Sequence, residues 1–496
     1  MFLESAKDCV APFQVHPWCK ADEHPFLVSI TEEMSQSRLL ALPNELSSPI
    51  IDEIPSADIE SFALCNKATY NLCGPAIRRI FEERYAVIEL GSPEDRPASY
   101  AGDDPSRGCH PLLFLARILS KPHIAQYPTE LQIDIYIEDD EDDEDEIEDF
   151  ERAALNNAIS TWSSELTSIG ANNAWLTGEV REVWQRALLK PKNKAHYLGI
   201  LLTMLPNVES ITIINMPHEA APLITMILAI AKANQDPSSP VHEKALAKLH
   251  EVALATNCRE QGAEMWIYEP FAALPSMRSL YGSVIGGYKR KAPIDLPQHT
   301  RDKACQFEVV KFVNSFVDAE FFDTLLQLAA ALKIFTYHHA IYIDGDGRFD
   351  AFGIVQALAK HANHSLEKLD LTADTQIWRE SDYRPLTHRQ QCIPSLRDFA
   401  RLRVLRIDDK LLQAPHWGGQ VTRLVDVLPA SISIVRLVRE MRQDAWEEVF
   451  AGLAEEKAEK LPNLKKIMVE GESPMHGRLV DELKTVGIKI KGIYMV

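Results

Sequence analysis

The pattern of apolar and polar positions changes along the chain, and one arrangement recurs in its second half. A stretch with apolar residues at helical spacing leads through "LP" or "SL" into a short run in which apolar and polar residues alternate. The clearest runs are "HSLEKLDLTA", "FARLRVLRIDD", "VLPASISIVRLV" and "KLPNLKKIMVEG". Their centres lie near Leu371, Ile407, Leu437 and Val469, which are 30–36 residues apart. Each arrangement predicts a helix followed by a strand.

These units predict a fold in which neighbours stack. Alternate residues of a strand point inward, as Leu366, Leu369 and Leu371 would, and the preceding helix covers the other side of the core. One unit cannot bury its own apolar face, so several must pack together. We therefore expect an α/β fold in which residues 151–496 form an irregular leucine-rich-repeat-like solenoid with parallel strands and covering helices. An ordinary α/β domain with unrelated strands is the alternative.

The N-terminal part has a different pattern. Residues 1–36 mix Pro, His, Cys and charges without a period and are interpreted as a flexible leader. In "LPNELSSPIIDEI" the apolar residues lie on one face of a helix that Pro43 begins and Pro55 ends. These face residues are Leu46, Ile50, Ile51 and Ile54. With Pro49 inside this stretch, the helix either begins late, at Ser47 or Ser48, or is kinked.

Two further helices are predicted before residue 85. Asp58 is a suitable N-cap for a helix with Ile59 and Leu64, and a third helix follows the Gly-Pro step at Gly74. Three helices in about 45 residues make a very small core, which a partner would help to stabilise.

Residues 86–150 are predicted to form a connecting segment. A loop rich in Gly, Pro, Ser and Asp precedes a short helix and an alternating strand with Leu131, Ile133, Ile135 and Ile137. Eleven of the twelve residues 138–149 are acidic. Two interpretations of this run stay open: a solvated insertion, or a charged segment that steers a basic partner.

Composition and charge exclude several functions. The chain of 496 residues has a net charge of −20 and no basic stripe, which argues against a nucleic-acid partner. Its longest apolar run, residues 221–231, is shorter than the roughly 20 residues that a membrane span needs. The eight cysteines lack CxxC or zinc spacing, which favours reduced thiols in a cytoplasmic or nuclear protein. Hydrolase and nucleotide motifs are absent, so we expect no catalytic, cofactor or metal site.

The sequence of the N-terminal part is similar to that of a known protein family. The stretch "LLALPNELSSPIIDEIPSADIESFALCNKATYNLCGPAI" resembles the F-box in the form common among fungal F-box proteins. The matching features are the Leu42-Pro43 step, Glu45-Leu46, Ile50, Ile54-Pro55, Asp58-Ile59, and "FALCNKATY". The predicted domain is an F-box of three helices at residues 37–85.

The resemblance implies both a partner and a role. An F-box binds a Skp-type adaptor, which connects it to a cullin scaffold, and a C-terminal domain captures a protein target for ubiquitin transfer. The chain itself is then a non-catalytic subunit of a ubiquitin ligase, with no cofactor. By this resemblance, the residues expected to bind the adaptor are Leu42, Pro43, Leu46, Ile50, Ile51, Ile54 and Leu64. The target would bind near the strands of the second half.

Two other functions are left open by the sequence. One is an F-box scaffold or a leucine-rich-repeat-type interaction module that binds partners without a role in ubiquitin transfer. The other is an enzyme that uses the surface of the solenoid, for which no motif gives support. The amount of cullin that co-purifies distinguishes the ligase from the scaffold.

Overall fold

A computed structural model provides the structure of the chain, which divides into two compact units, residues 1–83 and 84–496. The structure describes 50–51, 54, 59, 62–63, 73–74, 76–79, 85–90, 110–134, 149–172, 178–189, 194–214, 221–234, 245–256, 263–264, 268–287, 307–329, 331–340, 349–373, 393–412, 422–438, 443–470 and 477–493.

The first unit has a small apolar core. Its described residues are helical at 50–51, 59, 62–63, 73–74 and 76–79, within the three stretches where the sequence predicts helices. The buried cluster consists of Ile51, Ile59, Ala63, Cys73 and Ala76, with Ile54, Phe62 and Ile77 packed against it. The leader at 1–36 and the start of the first predicted helix lie outside the described residues.

The second unit is an α/β structure with one long parallel sheet. Its strands are β1 (Val87–Leu90), β2 (Glu130–Asp134), β3 (Ser210–Ile214), β4 (Glu251–Ala255), β5 (Ala263–Glu264), β6 (Ser279–Ser283), β7 (Ile285–Gly287), β8 (Val309–Val317), β9 (Ile334–His339), β10 (Lys368–Ala373), β11 (Val404–Asp408), β12 (Ile434–Val438), β13 (Lys466–Glu470) and β14 (Lys489–Ile493). Twelve of them follow one another as hydrogen-bonded neighbours in chain order, while β5 and β7 form a short side branch beside β8. Every described pairing is parallel.

Two rows of mainly apolar side chains run across this sheet on its buried side. The four strand centres predicted from the sequence are direct partners, because Leu371 pairs with Ile407, Ile407 with Leu437, and Leu437 with Val469. The second row joins Leu369 to Phe335, Leu405, Val435 and Ile467, each two residues before the first row's residue in the same strand. These residues are almost completely buried. The prediction that Leu366, Leu369 and Leu371 point inward is confirmed.

The main chain just before each strand also repeats. The amides of Lys333 and Ile334 both donate to the carbonyl of Glu308, at 2.8 and 2.9 Å. The amides of Glu367 and Lys368 then donate in the same way to Lys333. The pattern recurs at the starts of most neighbouring strands. These shared acceptors fix each strand's register relative to the preceding strand.

Helices connect the strands. They are α1 (Pro111–Ser120), α2 (Asp149–Asn172), α3 (Gly178–Ala187), α4 (Lys194–Met204), α5 (Ala221–Asn234), α6 (Tyr268–Ala272), α7 (Ala319–Leu326), α8 (Ala351–His361), α9 (Leu424–Val427), α10 (Gln443–Val449), α11 (Leu453–Lys460) and α12 (Gly477–Thr485), with 3-10 turns at Pro122–Gln126 and Asp409–Leu412. No helix in the described part is long and apolar enough to cross a membrane.

An aromatic cluster shows how a helix packs on the sheet. Phe322 of α7 is fully buried, and its ring centroid lies 5.9 Å from that of Phe312, 5.2 Å from Phe335 and 5.1 Å from Tyr337. These three partners belong to β8 and β9 and occupy the inward rows. The buried side of the sheet is therefore the side that α7 covers.

The sheet begins at Val87, before residue 151, where the solenoid was predicted to start. Strands β1 and β2 lie in residues 86–150, which were assigned to a connecting segment, yet β2 pairs with β3 in the same register as the later strands. Leu131 and Ile133 are buried as predicted, while Ile135, Ile137 and residues 138–148 lie outside the described residues. The predicted helix of this segment is α1. Segment 86–150 therefore contributes strands to the sheet.

His110 at the start of α1 provides a pH test of the fold. Its Nδ1 accepts a hydrogen bond from the amide of Leu112 at 3.1 Å, so the side chain caps the helix. Burial, followed by the charge of Lys194, lowers the pKa of His110 from 6.5 to about 3. Below pH 6.5 the His110 imidazole therefore binds a proton in the unfolded chain but stays neutral in the folded chain until the pH approaches 3. The folded state loses stability as the pH falls from 6.5 towards 3.

We expect His110→Asn to reduce this loss. Asparagine keeps a capping acceptor but does not titrate. Between about pH 7.5 and pH 5, the free energy of unfolding of the wild type should fall by about 2 kcal/mol more than that of the variant. Urea unfolding at both pH values measures this difference, with the exposed His123→Asn as the matched control. An equal loss in the wild type and His110→Asn would contradict the assignment.

Candidate protein-binding surface

The side of the sheet opposite the apolar rows carries two rows of partly exposed side chains, which we call the open face. The first row comprises Val87, Glu130, Ser210, Glu251, Ser279, Val309, Ile334, Lys368, Val404, Ile434, Lys466 and Lys489. The second row comprises Glu89, Gln132, Thr212, Ala253, Tyr281, Lys311, Thr336, Asp370, Arg406, Arg436, Met468 and Lys491.

The alternation of each strand creates this face. In these two rows every residue except Asp370 is half-buried or exposed, whereas on β1–β13 the residue that follows each of them in its strand is buried. Since side chains of a strand point alternately to opposite sides, the apolar rows and the open face follow from one sequence pattern. The result is a continuous mixed surface of aliphatic and charged groups.

An ion-pair network lies on the open face of β10–β13. Arg406 Nη1 donates to Asp370 Oδ1 at 3.1 Å, and Arg406 Nη2 donates to Glu470 Oε2 at 3.0 Å. Arg436 Nε lies 2.7 Å from Glu470 Oε1, an ion pair without hydrogen-bond alignment. Since Arg406 joins strands on both sides of it, this network connects four neighbouring strands.

The network is partly withdrawn from solvent. The side chains of Asp370 and Glu470 are 11% and 7% exposed, and that of Arg406 is 26% exposed. Burial alone lowers the pKa of Arg406, but its hydrogen bond to Glu470 and the charges of Asp370 and Glu470 outweigh burial and raise the pKa above its usual range. The guanidinium stays charged, and the network is a fixed feature of the open face.

The strands bend near the middle of the sheet. Val284 and Asn314 have positive φ values of 58° and 49°, and the register between β8 and β9 shifts between Phe312 and Ser315. The hydroxyl of Ser315 accepts a hydrogen bond from the amide of Ile285 at 3.1 Å. The bend leaves Val313 of β8 40% exposed on the surface. A β-branched residue such as Val284 seldom adopts this conformation, so the surrounding hydrogen bonds must hold it.

Of the predicted adaptor-binding residues, the structure describes three. Ile50 is 45% exposed, whereas Ile51 is 2% exposed within the buried cluster of the first unit. Ile54 is half-buried against that cluster, and its amide donates to the carbonyl of Ile51 at 3.1 Å. The sequence placed these residues on one face, but the structure gives Ile51 an internal position and leaves Ile50 exposed. Leu42, Pro43, Leu46 and Leu64 lie outside the described residues.

A groove of about 570 Å³ lies between α1 and α2. Leu113, Ile124 and Trp162 provide apolar lining, and Arg117 and Lys121 provide cations at its edge. The described lining includes no carboxylate, histidine or cysteine. Elsewhere in the described part, no group of three His, Cys, Asp or Glu side chains is arranged to hold a metal ion. The groove therefore presents an apolar and cationic surface.

The sequence pattern predicted strands β10–β13 but not the charged network that joins them. The signal was a charged residue immediately before the central apolar residue in "LDL", "LRI" and "VRL". Once those strands are aligned in register, Asp370, Arg406 and Arg436 form one row. The partner Glu470 is two strands from Arg406, so the pairing depended on the fold.

A scan against profiles of known protein families and a search among curated proteins both returned no match.

Proposed function

We propose that this chain is the target-recognition subunit of a Skp–cullin–F-box type ubiquitin ligase. The observation that carries the proposal is the resemblance of residues 39–77 to an F-box, from the Leu42-Pro43 step to "FALCNKATY". Two structural features support it. Residues 1–83 form a compact unit separate from the rest, and this unit has a small apolar core.

The second unit is proposed to be an irregular leucine-rich-repeat-type solenoid that captures the target. Support comes from the chain-order pairing of parallel strands and from strand starts that recur every 30–36 residues from Ile334 to Lys466. Solenoids present a long continuous surface to protein partners. The open face has the mixed aliphatic and charged character that suits this role.

In the proposed function the chain does no covalent chemistry. The first unit binds the adaptor and the open face binds the target, which raises the effective concentration of the target near the enzyme that carries ubiquitin. The rate of modification then depends on affinity and geometry. The side chains that matter are contact residues on two separate surfaces.

We expect Ile50→Asp to weaken adaptor binding by about tenfold or more, because it places a charge in an apolar contact. Ile50 is 45% exposed, so the first unit should stay folded. The measurement is co-purification of the chain with a recombinant Skp-type adaptor, with Leu42→Ala/Pro43→Ala as a second variant. Val183→Asp, which charges a residue of α3 that is 51% exposed, is the matched control.

The outcomes separate the candidate functions. A wild-type chain that never retains the adaptor under mild conditions would overturn the proposal. Retention of the adaptor without any cullin would instead favour a scaffold that does not take part in ubiquitin transfer. Unchanged binding by Ile50→Asp would remove Ile50 from the adaptor-binding surface.

A further inference from the structure

The two ends of the open face carry opposite charge. On β1–β4 and β6 its two rows contain three carboxylates and no cation: Glu89, Glu130 and Glu251. On β8–β14 the rows contain seven cations and one carboxylate: Lys311, Lys368, Arg406, Arg436, Lys466, Lys489, Lys491 and Asp370. We call the part of the open face on β8–β14 the basic end. It stands out because the whole chain has a net charge of −20.

The cations of the basic end are unequal in availability. Arg406 and Arg436 are paired with Asp370 and Glu470, and Lys311 lies over the ring of Tyr281 at 5.1 Å from its centroid. Within the described part of the chain, the other four make no ion pair. They are Lys368, Lys466, Lys489 and Lys491.

Cations on the helices behave differently. Lys360 of α8 lies 3.0 Å from Asp323, and Lys460 of α11 lies 3.1 Å from Asp426. Arg423 bonds to Asp426 and Glu456. Carboxylates of the chain thus neutralise these three cations, whereas within the described residues those four lysines of the open face have no such partner.

The first row also places aliphatic groups between these lysines. Its order across β10–β14 is Lys368, Val404, Ile434, Lys466 and Lys489, and the two aliphatic side chains are half-buried. Adjacent strands are about 4.8 Å apart, so this row is about 20 Å long. An extended segment of about six residues spans that distance.

We infer that the basic end of the open face binds an acidic segment of a protein target, with aliphatic side chains of that segment against Val404 and Ile434. Charge complementarity selects the partner, because four lysines that make no ion pair with the described residues attract carboxylates and repel a basic segment. The acidic end of the same face disfavours a continuation of the acidic segment beyond β8. This inference rests on the proposed role in target recognition and specifies the chemistry of the target.

The test uses the full chain and three labelled peptides of about ten residues. Each peptide has two central leucines, flanked by Asp and Glu, by Asn and Gln, or by Lys. Fluorescence anisotropy should show binding of the acidic peptide only, and the affinity should fall as the salt concentration rises from about 0.05 to 0.5 M. Binding of the neutral peptide with equal affinity would contradict the inference.

Charge reversal locates the site. Lys368→Glu/Lys466→Glu should weaken binding of the acidic peptide by about tenfold or more, which corresponds to about 1.4 kcal/mol. The control, Lys457→Glu/Arg478→Glu, makes the same change in net charge on α11 and α12 and should change affinity by less than about twofold. Equal losses in the two variants would show a general effect of net charge and overturn the inference.

Two further readouts complete the design. Single-stranded DNA of equal charge, added as a competitor, should displace the acidic peptide only weakly, and tighter binding of DNA would replace the peptide partner with a nucleic acid. Adaptor co-purification is measured on the same preparations. If the wild-type chain is folded by circular dichroism and retains the adaptor but never binds the acidic peptide, this inference fails and the proposed function stands. If the adaptor is never bound while the peptide binds at the lysines, the proposed function fails alone.

Discussion

Replacing Phe322 with alanine is expected to lower the free energy of unfolding of the second unit by about 3–5 kcal/mol. The side chain is fully buried at the centre of the aromatic cluster, against Phe312, Phe335 and Tyr337. Truncation removes its apolar contacts and leaves a cavity, because strands held by hydrogen bonds on both sides cannot close around it. Denaturant unfolding followed by circular dichroism measures the change.

The neighbouring residue provides a control with the same chemistry. Phe321 is also on α7 but is only half-buried, so Phe321→Ala should cost about 1 kcal/mol or less. Both substitutions remove one phenyl ring and change helix propensity equally. If both variants lost the same stability, burial against β8 and β9 would not be what stabilises this helix.

The second large effect is expected from Arg406→Ala. Its removal leaves the carboxylates of Asp370 and Glu470 on a largely buried part of the open face without the group that joins them. Breaking a buried ion pair from one side typically costs about 3–5 kcal/mol, and the lower end applies here because the Arg406 side chain is 26% exposed. The free energy of unfolding should therefore fall by about 3 kcal/mol.

Two variants show whether the two-sided pairing is the cause. Arg403→Ala removes an exposed arginine just before the same strand and should stay within about 0.5 kcal/mol of the wild type. Arg406→Lys keeps the charge but cannot donate to both carboxylates in the fork geometry, so it should recover only part of the loss. If Arg406→Lys were as stable as the wild type, charge alone would be sufficient. If Arg403→Ala and Arg406→Ala lost equal stability, the network would not be a source of stability.

The network and the unpaired lysines have different roles on one surface. Arg406 is engaged by carboxylates of its own chain, which fixes neighbouring strands in position. Lys368 and Lys466 make no such pair in the described part and are available to a partner. We therefore expect substitutions at Arg406 to change stability first and substitutions at the lysines to change affinity first.

Much of the second unit was determined by local sequence. The alternation around Leu369 and Leu371 specifies a strand with one buried side, and its recurrence at Ile407, Leu437 and Val469 specifies neighbours of the same kind. Because a one-residue slip would expose these residues, the apolar pattern also specifies the register. The parallel order of β10–β13 follows, because a long crossover connection separates each of these strands from the next and returns the chain to the same end of the sheet.

In the first unit, helical periodicity does not determine which apolar residues are buried. Helical spacing placed Ile50, Ile51 and Ile54 on one face, but adjacent helical residues point about 100° apart. Which of them is buried depends on the position of the other helices, and Ile59, Ala63 and Ala76 select Ile51. Packing therefore decided which of these side chains is buried and which is exposed.

The sequence by itself determined strands β10–β13 and their inward residues. Only the tertiary structure decided which charges meet. Arg406 of β11 reaches across β12 to Glu470 of β13, which is 64 positions away in the sequence. The tertiary structure also decided the bend at Val284, where a valine adopts a positive φ that its own preferences oppose. The physical reason is that inward burial is set by the period of a single strand, while pairing across the open face depends on distances that exist only after the strands have stacked.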